Sequence, residues 1–298
     1  MKTYLKSLSI PSQEQEYAWL YEHDPSNKAK LSKVYSSHYP FCFFSRFFDS
    51  VTFEFEPITI FYGSNGSGKS TLLNVISEML GLKRNAPYNK TDFFDDYCNL
   101  CRLKSLDIPY GSKIITSDDI FRKMNAVRLV NSQIDSEREE IMKMRDNYRS
   151  EARINPESIR FKGIDTYDSW KERVEAVHKS SSDFISKRAD RNLASGSNGE
   201  TAMMYLTEEI DQDALYLLDE PENSLAPKLQ LELKQFIEDS ARFFGCQFII
   251  ATHSPLLLAM DRAKIYNLDD DYADPCKWTE LENVKVYANF FKEHIDKF

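Results

Sequence analysis

Gly63-Ser64-Asn65-Gly66-Ser67-Gly68-Lys69-Ser70-Thr71 fits the pattern G-x-x-x-x-G-K-[ST] and lies between the apolar run Ile58-Thr59-Ile60-Phe61 and a helical run over 72–80. No other feature restricts the fold as much. A strand that feeds a glycine-rich turn and then a helix N-terminus makes a nest of backbone N–H groups for a phosphate, and the helix aims its positive end at the same anion. The pattern assigns Lys69 to β- and γ-phosphate oxygens and Ser70 to Mg²⁺. Gly63, Ser64, Asn65, Gly66, Ser67, Gly68, Lys69, Ser70 and Thr71 are therefore the candidate nucleotide-binding residues. A glycine turn that binds nothing is the bland alternative, and the strand–loop–helix context disfavours it.

A chain of 298 residues is long enough for one large α/β core with a subdomain inserted into it. The net charge of −9 argues against non-specific coating of nucleic acid, although it leaves room for a local basic groove. No run approaches the ~20 apolar residues of a membrane span. The opening Met1-Lys2-Thr3-Tyr4-Leu5-Lys6 carries no signal-peptide pattern, and five cysteines, an odd number, read as reduced thiols. The expectation is a cytoplasmic protein with no membrane partner. Cys98-Asn99-Leu100-Cys101 is a single C-x-x-C that a second copy would have to complete as a zinc site, since no second pair or nearby histidine does so.

Along the chain, 1–62 reads as strand-rich, with period-two alternation over 4–10 and 51–55. Tyr39, Phe41, Phe43, Phe44, Phe47 and Phe48 offer a face for adenine, but rings at this density are read mainly as core. Polar, aperiodic 81–110 reads as loop with short helices. A strand over 113–116 leads to Ser117-Asp118-Asp119, an N-cap cluster that should start a long helix. Ile120, Val127, Ile134, Ile141 and Tyr148 recur every seventh residue, while Met124, Asn131, Arg138 and Arg145 between them are mostly polar, so only half a coiled-coil seam is present.

A break at Asn155-Pro156 and Gly163, then a second helical stretch around Trp170, Val174, Val177 and Phe184, predicts a helical hairpin. Its arm would be about 45 Å long at 1.5 Å per residue. The charge run 135–140 reads as a solvated face. From Thr201 helix and strand alternate: helix to 210, strand 214–218, helix 227–243, strand 246–251, with a terminal amphipathic helix over 285–298. Such alternation means a parallel sheet covered by helices. The expected division is a core of 1–84 and 190–298 with an inserted helical lobe over 85–189.

Two apolar strands end in chemistry. Ala214-Leu215-Tyr216-Leu217-Leu218 runs into Asp219-Glu220, and beside a phosphate loop the first carboxylate suits Mg²⁺, through a water shared with Ser70. The second suits the water that attacks the γ-phosphate. Phe248-Ile249-Ile250-Ala251-Thr252 ends at His253, which parallel packing would deliver to the same crevice. Ser195-Gly196-Ser197-Asn198-Gly199-Glu200 precedes a helix, where small residues and a helix N-terminus can make an anion site; a flexible capped loop is the equal alternative.

Taken together, the loop at 63–71, the serine motif at 197–200, Asp219-Glu220-Pro221-Glu222 and Thr252-His253-Ser254 resemble the ABC-type ATPases, most closely the stand-alone branch near the RecF and SMC proteins. The resemblance covers about 1–84 and 190–270 and implies an α/β P-loop NTPase of ABC-ATPase type: a mainly parallel central sheet, an N-terminal antiparallel sheet and an inserted helical lobe. It implies ATP and Mg²⁺ as cofactors, Ser70 and Asp219 at the metal, Glu220 and His253 as catalytic residues, and a head-to-tail homodimer in which Ser197 and Gly199 of one copy close on the ATP of the other.

Three positions depart from the family pattern. Asn198 stands where a glycine is usual, 223–227 lacks the usual aspartate, and the glutamine expected after the strand at 113–116 is not evident; Asp118 is the candidate for its metal-side role, and Gln133 reads as surface. Similar sequences include compact bacterial ATPases, some encoded beside nucleases or toxins in anti-phage defence. The implied function is an ATP-hydrolysing switch that dimerises on ATP and controls an effector protein. The alternatives are a DNA repair or chromosome-associated ATPase, disfavoured by the acidic charge, and a transporter subunit, disfavoured by the short lobe and the Asp-Glu-Pro-Glu-Asn form.

Overall fold

A computed structural model describes residues 2–22, 37–44, 47, 50–161, 163–190 and 197–297. Elements are numbered in chain order, with α1 over Gln13–Tyr17 and α9 over Pro255–Leu258. Strands β1 (Leu5–Ser9), β2 (Thr52–Glu54) and β4 (Arg102–Ser105) form an antiparallel sheet in the order β2-β1-β4. Strands β3 (Ile58–Tyr62), β5 (Lys113–Thr116), β6 (Leu215–Asp219), β7 (Gln247–Ala251), β8 (Lys264–Asn267) and β9 (Pro275–Cys276) form the second sheet, ordered β5-β6-β7-β3-β8-β9. All its pairs are parallel except β8 with β9.

Every residue of β3 and β7 is buried. Their apolar runs are what a strand covered on both faces requires. The helix α2 (Lys69–Leu80) leaves the C-terminal end of β3 through the glycine loop and packs Leu72, Leu73, Val75 and Ile76 against the sheet. It ends at Gly81, where the N–H of Leu82 donates to the carbonyl of Ser77. On the later half, Pro227 opens α8 (Pro227–Phe243), which buries Leu233, Ile237 and Ala241.

Gln247 fastens the two sheets together. Fully buried at the start of β7, its side-chain oxygen accepts from the N–H groups of Tyr4 and Leu5 at 2.7 and 2.8 Å, and its amide donates to the carbonyls of Leu5 and Glu56 at 2.9 and 3.2 Å. One polar side chain thus satisfies four backbone groups, at the start of β1 and just ahead of β3.

The chain divides into two compact units, Met1–Phe121 with Ala202–Phe298, and Arg122–Thr201. The sequence reading starts the lobe at 85, but Phe93, Phe94 and Tyr97, around and within α3 (Phe94–Leu100), lie fully buried in the first unit's core. Their rings fall in a polar, aperiodic stretch, which is why local pattern placed them outside. The same stretch contains β4, an exposed polar edge strand that only its pairing with β1 defines. Cys98 and Cys101 belong to this core as well, and burial pushes the Cys98 thiol up to about 12 and Cys101 higher still. Buried protonated thiols are not presented to a second copy, which removes the half zinc site.

The second unit holds most of α4 (Ser117–Ile154), α5 (Tyr167–His178), α6 (Ser181–Ser186) and the start of α7 (Asn198–Glu209). The hairpin forms as the break at Asn155-Pro156 predicts, with Asn155 capping a short 3-10 turn over Pro156–Ile159. Ile134, Ala176 and Phe184 are buried within the unit, and Arg145, also buried, donates to the Lys179 carbonyl at 3.0 Å. Glu175 pairs with both Lys179 and Arg188, and these hydrogen bonds hold its carboxyl down to about 2. No helix among the described residues is long and apolar enough to cross a membrane.

Candidate functional site

The register of the parallel sheet brings the C-terminal ends of its strands to one edge. Thr116 pairs with Asp219, Asp219 with Ala251, Phe61 with Ala251, and Tyr62 with Asn267. The loop after β3, the two carboxylates after Leu218 and the histidine after β7 therefore meet by strand pairing alone.

Within the loop, Gly68 has φ of +101°, and a Cβ there would stand 2.5 Å from Phe44 and 2.9 Å from Phe43. Only glycine satisfies both the left-handed backbone and the rings pressed on it. A Cβ at Gly63 would lie 2.4 Å from the Ser67 hydroxyl, so the Ser67 side chain leaves this turn too no room for one. Buried Lys69 curls back to donate to the carbonyls of Gly63 and Ser64 at 2.8 and 3.1 Å. Ser64 is braced from β8's end: its N–H and hydroxyl donate to the two Asp269 oxygens at 2.7 and 2.8 Å. Asn65 and Gly66 are exposed at the tip, Ser67 and Thr71 are buried, and Thr71 shares a 2.8 Å hydrogen bond with the Tyr39 hydroxyl.

Phe41, Phe44 and Phe47 are core, as the sequence reading expects of most of these rings. Tyr39 and Phe43 are part-buried beside the loop, and Phe48 lies outside the described residues.

The Ser70 hydroxyl donates to Asp219 at 2.9 Å. Burial pushes the Asp219 carboxyl up to about 6, and the Ser70 hydrogen bond and Lys69 only partly oppose it. A desolvated carboxylate beside a hydroxyl, with a second carboxylate following in sequence, is the hard oxygen donor set that suits Mg²⁺. The residues present fit that ion, and Ser70 and Asp219 are those that would hold it.

Glu220 adopts φ of +48°, an uncommon backbone for a residue with a side chain and one that concentrates at functional sites. Its N–H donates to the Ala251 carbonyl at 2.9 Å, and its side chain accepts from Asn223 at 3.1 Å. The Nδ1 of His253 lies 3.7 Å from a Glu220 oxygen and 3.7 Å from a Glu222 oxygen. Glu222 is buried; one of its oxygens accepts from the Thr252 hydroxyl at 2.5 Å and from the His253 N–H at 3.1 Å. It ties the end of β6 to the end of β7. On the other side, Asn283 donates to the His253 carbonyl at 2.7 Å and its N–H reaches the Tyr62 hydroxyl at 3.5 Å.

Several of these positions carry no motif. Asp269, Glu222 as a brace, and Asn283 were missed by sequence reasoning; only Glu222 had a local signal, as the fourth residue of Asp-Glu-Pro-Glu. After β5, Asp118 is exposed, whereas Asp119 is buried and accepts from the N–H and hydroxyl of Thr116, each at 2.9 Å. Thr116 is the residue paired with Asp219, so the carboxylate turned inward beside the site is Asp119.

Ser197 and Gly199 lie in the second compact unit. Ser197 starts α7 with a reciprocal cap: its hydroxyl oxygen accepts from the Glu200 N–H at 3.3 Å, and its own N–H donates to the Glu200 carboxylate at 2.6 Å. Its O–H proton takes no part in that cap. Asn198 is held by Arg128 at 2.5 Å, and Ser195 and Gly196 lie outside the described residues.

Among solved structures, the fold is similar to the Smc head domain with an extended coiled coil bound to the C-terminal domain of ScpA from Pyrococcus furiosus, at 14% identity and a TM-score of 0.42 over 98% of this chain and 99% of that one. An SMC head domain from Thermotoga maritima matches at 15% identity and a TM-score of 0.40, over 92% of this chain and 99% of that one. A nucleotide-free ATP-binding cassette from an ABC transporter matches at 17% and 0.36, over 74% and 81%. No curated protein matches the chain. The AAA domain family matches residues 43–265, a span that takes in the phosphate loop, both strand-end carboxylates and His253. By that match the chain belongs to the AAA-domain family, and it is an ATP-hydrolysing P-loop enzyme.

Proposed function

We propose that the protein is an ATP-driven switch: Mg²⁺–ATP joins two copies head to tail, and hydrolysis releases them to signal to an effector protein. The observation that carries this reading is the meeting of Ser70, Asp219, Glu220 and His253 at one sheet edge, with Ser70 and Asp219 2.9 Å apart and Glu220 and His253 at 3.7 Å. Lys69 and the loop N–H groups bind the phosphates, and Asp219 and Ser70 hold the metal. Bound Mg²⁺ supplies charge neutralisation at the β- and γ-phosphates. Glu220 accepts the proton of the attacking water, and His253, oriented by Glu222 and Asn283, donates to the γ-phosphate.

The Ser197 and Gly199 motif belongs to a different compact unit from the loop, and it is the surface we assign to the second copy's γ-phosphate, with Ser197 O–H as donor. The unit over Arg122–Thr201 is where the effector reads the change; a nuclease or toxin is the class of effector the sequence resemblance suggests. The acidic net charge of −9 favours this over direct action on DNA. Five free cysteines suit a reducing compartment such as the cytoplasm.

The test is the Glu220→Gln variant, followed by phosphate release and by sedimentation with and without Mg²⁺–ATP. Loss of turnover together with an ATP-trapped dimer is the expected result. Normal hydrolysis by the variant refutes the role of Glu220, and a monomer in saturating ATP refutes the switch.

A further inference from the structure

The helix α10 (Glu282–Glu293) is attached to the body by its first turn: Val284 is buried, Leu281 before it is buried, and Asn283 makes the two contacts to His253 and Tyr62. Every residue from Lys285 to Glu293 is exposed. Helical spacing places Val286, Tyr287 and Phe290 on one face, and each is half or more exposed, as is Ile295 just beyond the helix. A helix of three turns has little stability of its own in water and relies on packing of its apolar face.

We propose that this face is a self-association surface, occupied by α10 of a second copy, and that it acts without nucleotide. Two observations select a second copy. First, an acidic chain of −9 repels itself, yet residues 282–297 carry three lysines (Lys285, Lys292, Lys297) against three acids (Glu282, Glu293, Asp296), so here two copies approach without net repulsion. Second, the exposed parts of Val286, Tyr287, Phe290 and Ile295 amount to about 500 Å² per copy, so a two-fold pairing buries at most about 1,000 Å², the lower bound for a biological interface and the size of a weak, concentration-dependent one.

The pairing is joined to the ATP site by Asn283. Its amide holds the carbonyl of His253, so ordering α10 against its copy restricts the histidine that faces Glu220 and Glu222. The self-association stands independently of the head-to-tail reading, because it uses a different surface and no ATP; the coupling to turnover rests on the role given to His253.

Sedimentation of the full chain over a concentration series, in EDTA and without nucleotide, tests the surface. Wild type should associate as concentration rises, and Phe290→Glu or Val286→Lys should weaken this by about tenfold or more, since each pairing would bury two charges. Because both positions are exposed, the variants should keep the wild-type melting curve at concentrations where wild type is monomeric. A wild-type chain that stays monomeric, or variants that associate as well as wild type, overturns the proposal; so does association supplied only by a different protein. Phe290→Glu placed on Glu220→Gln should still give the ATP-trapped dimer. Loss of that dimer would mean that the two surfaces are one, and would overturn the assignment. Asn283→Ala should associate as wild type does, and Phe290→Glu should change turnover in the wild-type background but not in the Asn283→Ala background; an equal change in both would refute the coupling.

Discussion

Replacing Glu222 should separate the geometry of the site from its charge. The carboxylate accepts from the Thr252 hydroxyl at 2.5 Å and the His253 N–H at 3.1 Å through one oxygen, while its other oxygen is buried without a partner. In Glu222→Ala both donors lose their acceptor. A buried donor left unpaired costs about 1–3 kcal/mol, so the loss is about 2–6 kcal/mol, less the penalty that burying a half-satisfied carboxylate already carries. A net destabilisation of about 3 kcal/mol is expected. Glu222→Gln keeps an oxygen acceptor and removes the charge, so its stability should lie within about 1 kcal/mol of wild type.

Urea denaturation measures the first quantity, and steady-state ATP hydrolysis measures the second. With His253 no longer held, kcat should fall by about ten- to a hundredfold in the alanine variant with KM near wild type, because the loss is one of orientation in the reacting complex. The glutamine variant should recover most of kcat. An alanine variant with unchanged midpoint and unchanged kcat would show that these hydrogen bonds neither hold the two strand ends together nor position His253.

Gly68→Ala should abolish nucleotide binding and lower stability by about 2 kcal/mol or more, since it combines a left-handed backbone with a clash against Phe44; nucleotide titration and thermal melting check this, and tight binding by the variant would refute the packing argument. Gln247→Leu strips four hydrogen bonds from the junction of the two sheets and should cost about 3–5 kcal/mol, read by denaturation and by faster amide exchange at Tyr4 and Leu5. Glu16 is buried, which pushes its carboxyl from 4.5 up to about 7 despite a hydrogen bond from the Cys42 N–H. The folded state therefore holds that proton more tightly, and stability should decline as pH rises from 4.5 through 7, by up to about 3 kcal/mol. Glu16→Gln should remove that slope, whatever constant offset the amide adds; an identical pH dependence in the two proteins would refute the buried carboxyl as its source.

The phosphate loop, Asp219-Glu220 and His253 were legible in the chain because each is a local pattern: a glycine spacing before a helix, and an apolar run ending in polar residues. Strand period and helix caps sufficed to place β3, β6, β7, α2, α4 and α8. Short strands were not legible where their pairing is their only definition. Arg102–Ser105 has exposed polar side chains around a single part-buried Leu103, and Lys264–Asn267 spans four residues without a distinctive period.

The braces of the site were equally hidden. Asp269 holds Ser64 across 205 positions and Asn283 reaches His253 from 30 positions away, just as Gln247, away from the site, joins the two sheets by holding Leu5 across 242. By itself, the sequence determined that a glycine-rich phosphate loop with its lysine, and two adjacent carboxylates, each stand at the end of an apolar strand, since those patterns are complete within a few residues of each strand end. Tertiary structure alone decided which side chains fix these groups in place, because a hydrogen bond between distant segments leaves no period, spacing or composition in either of them.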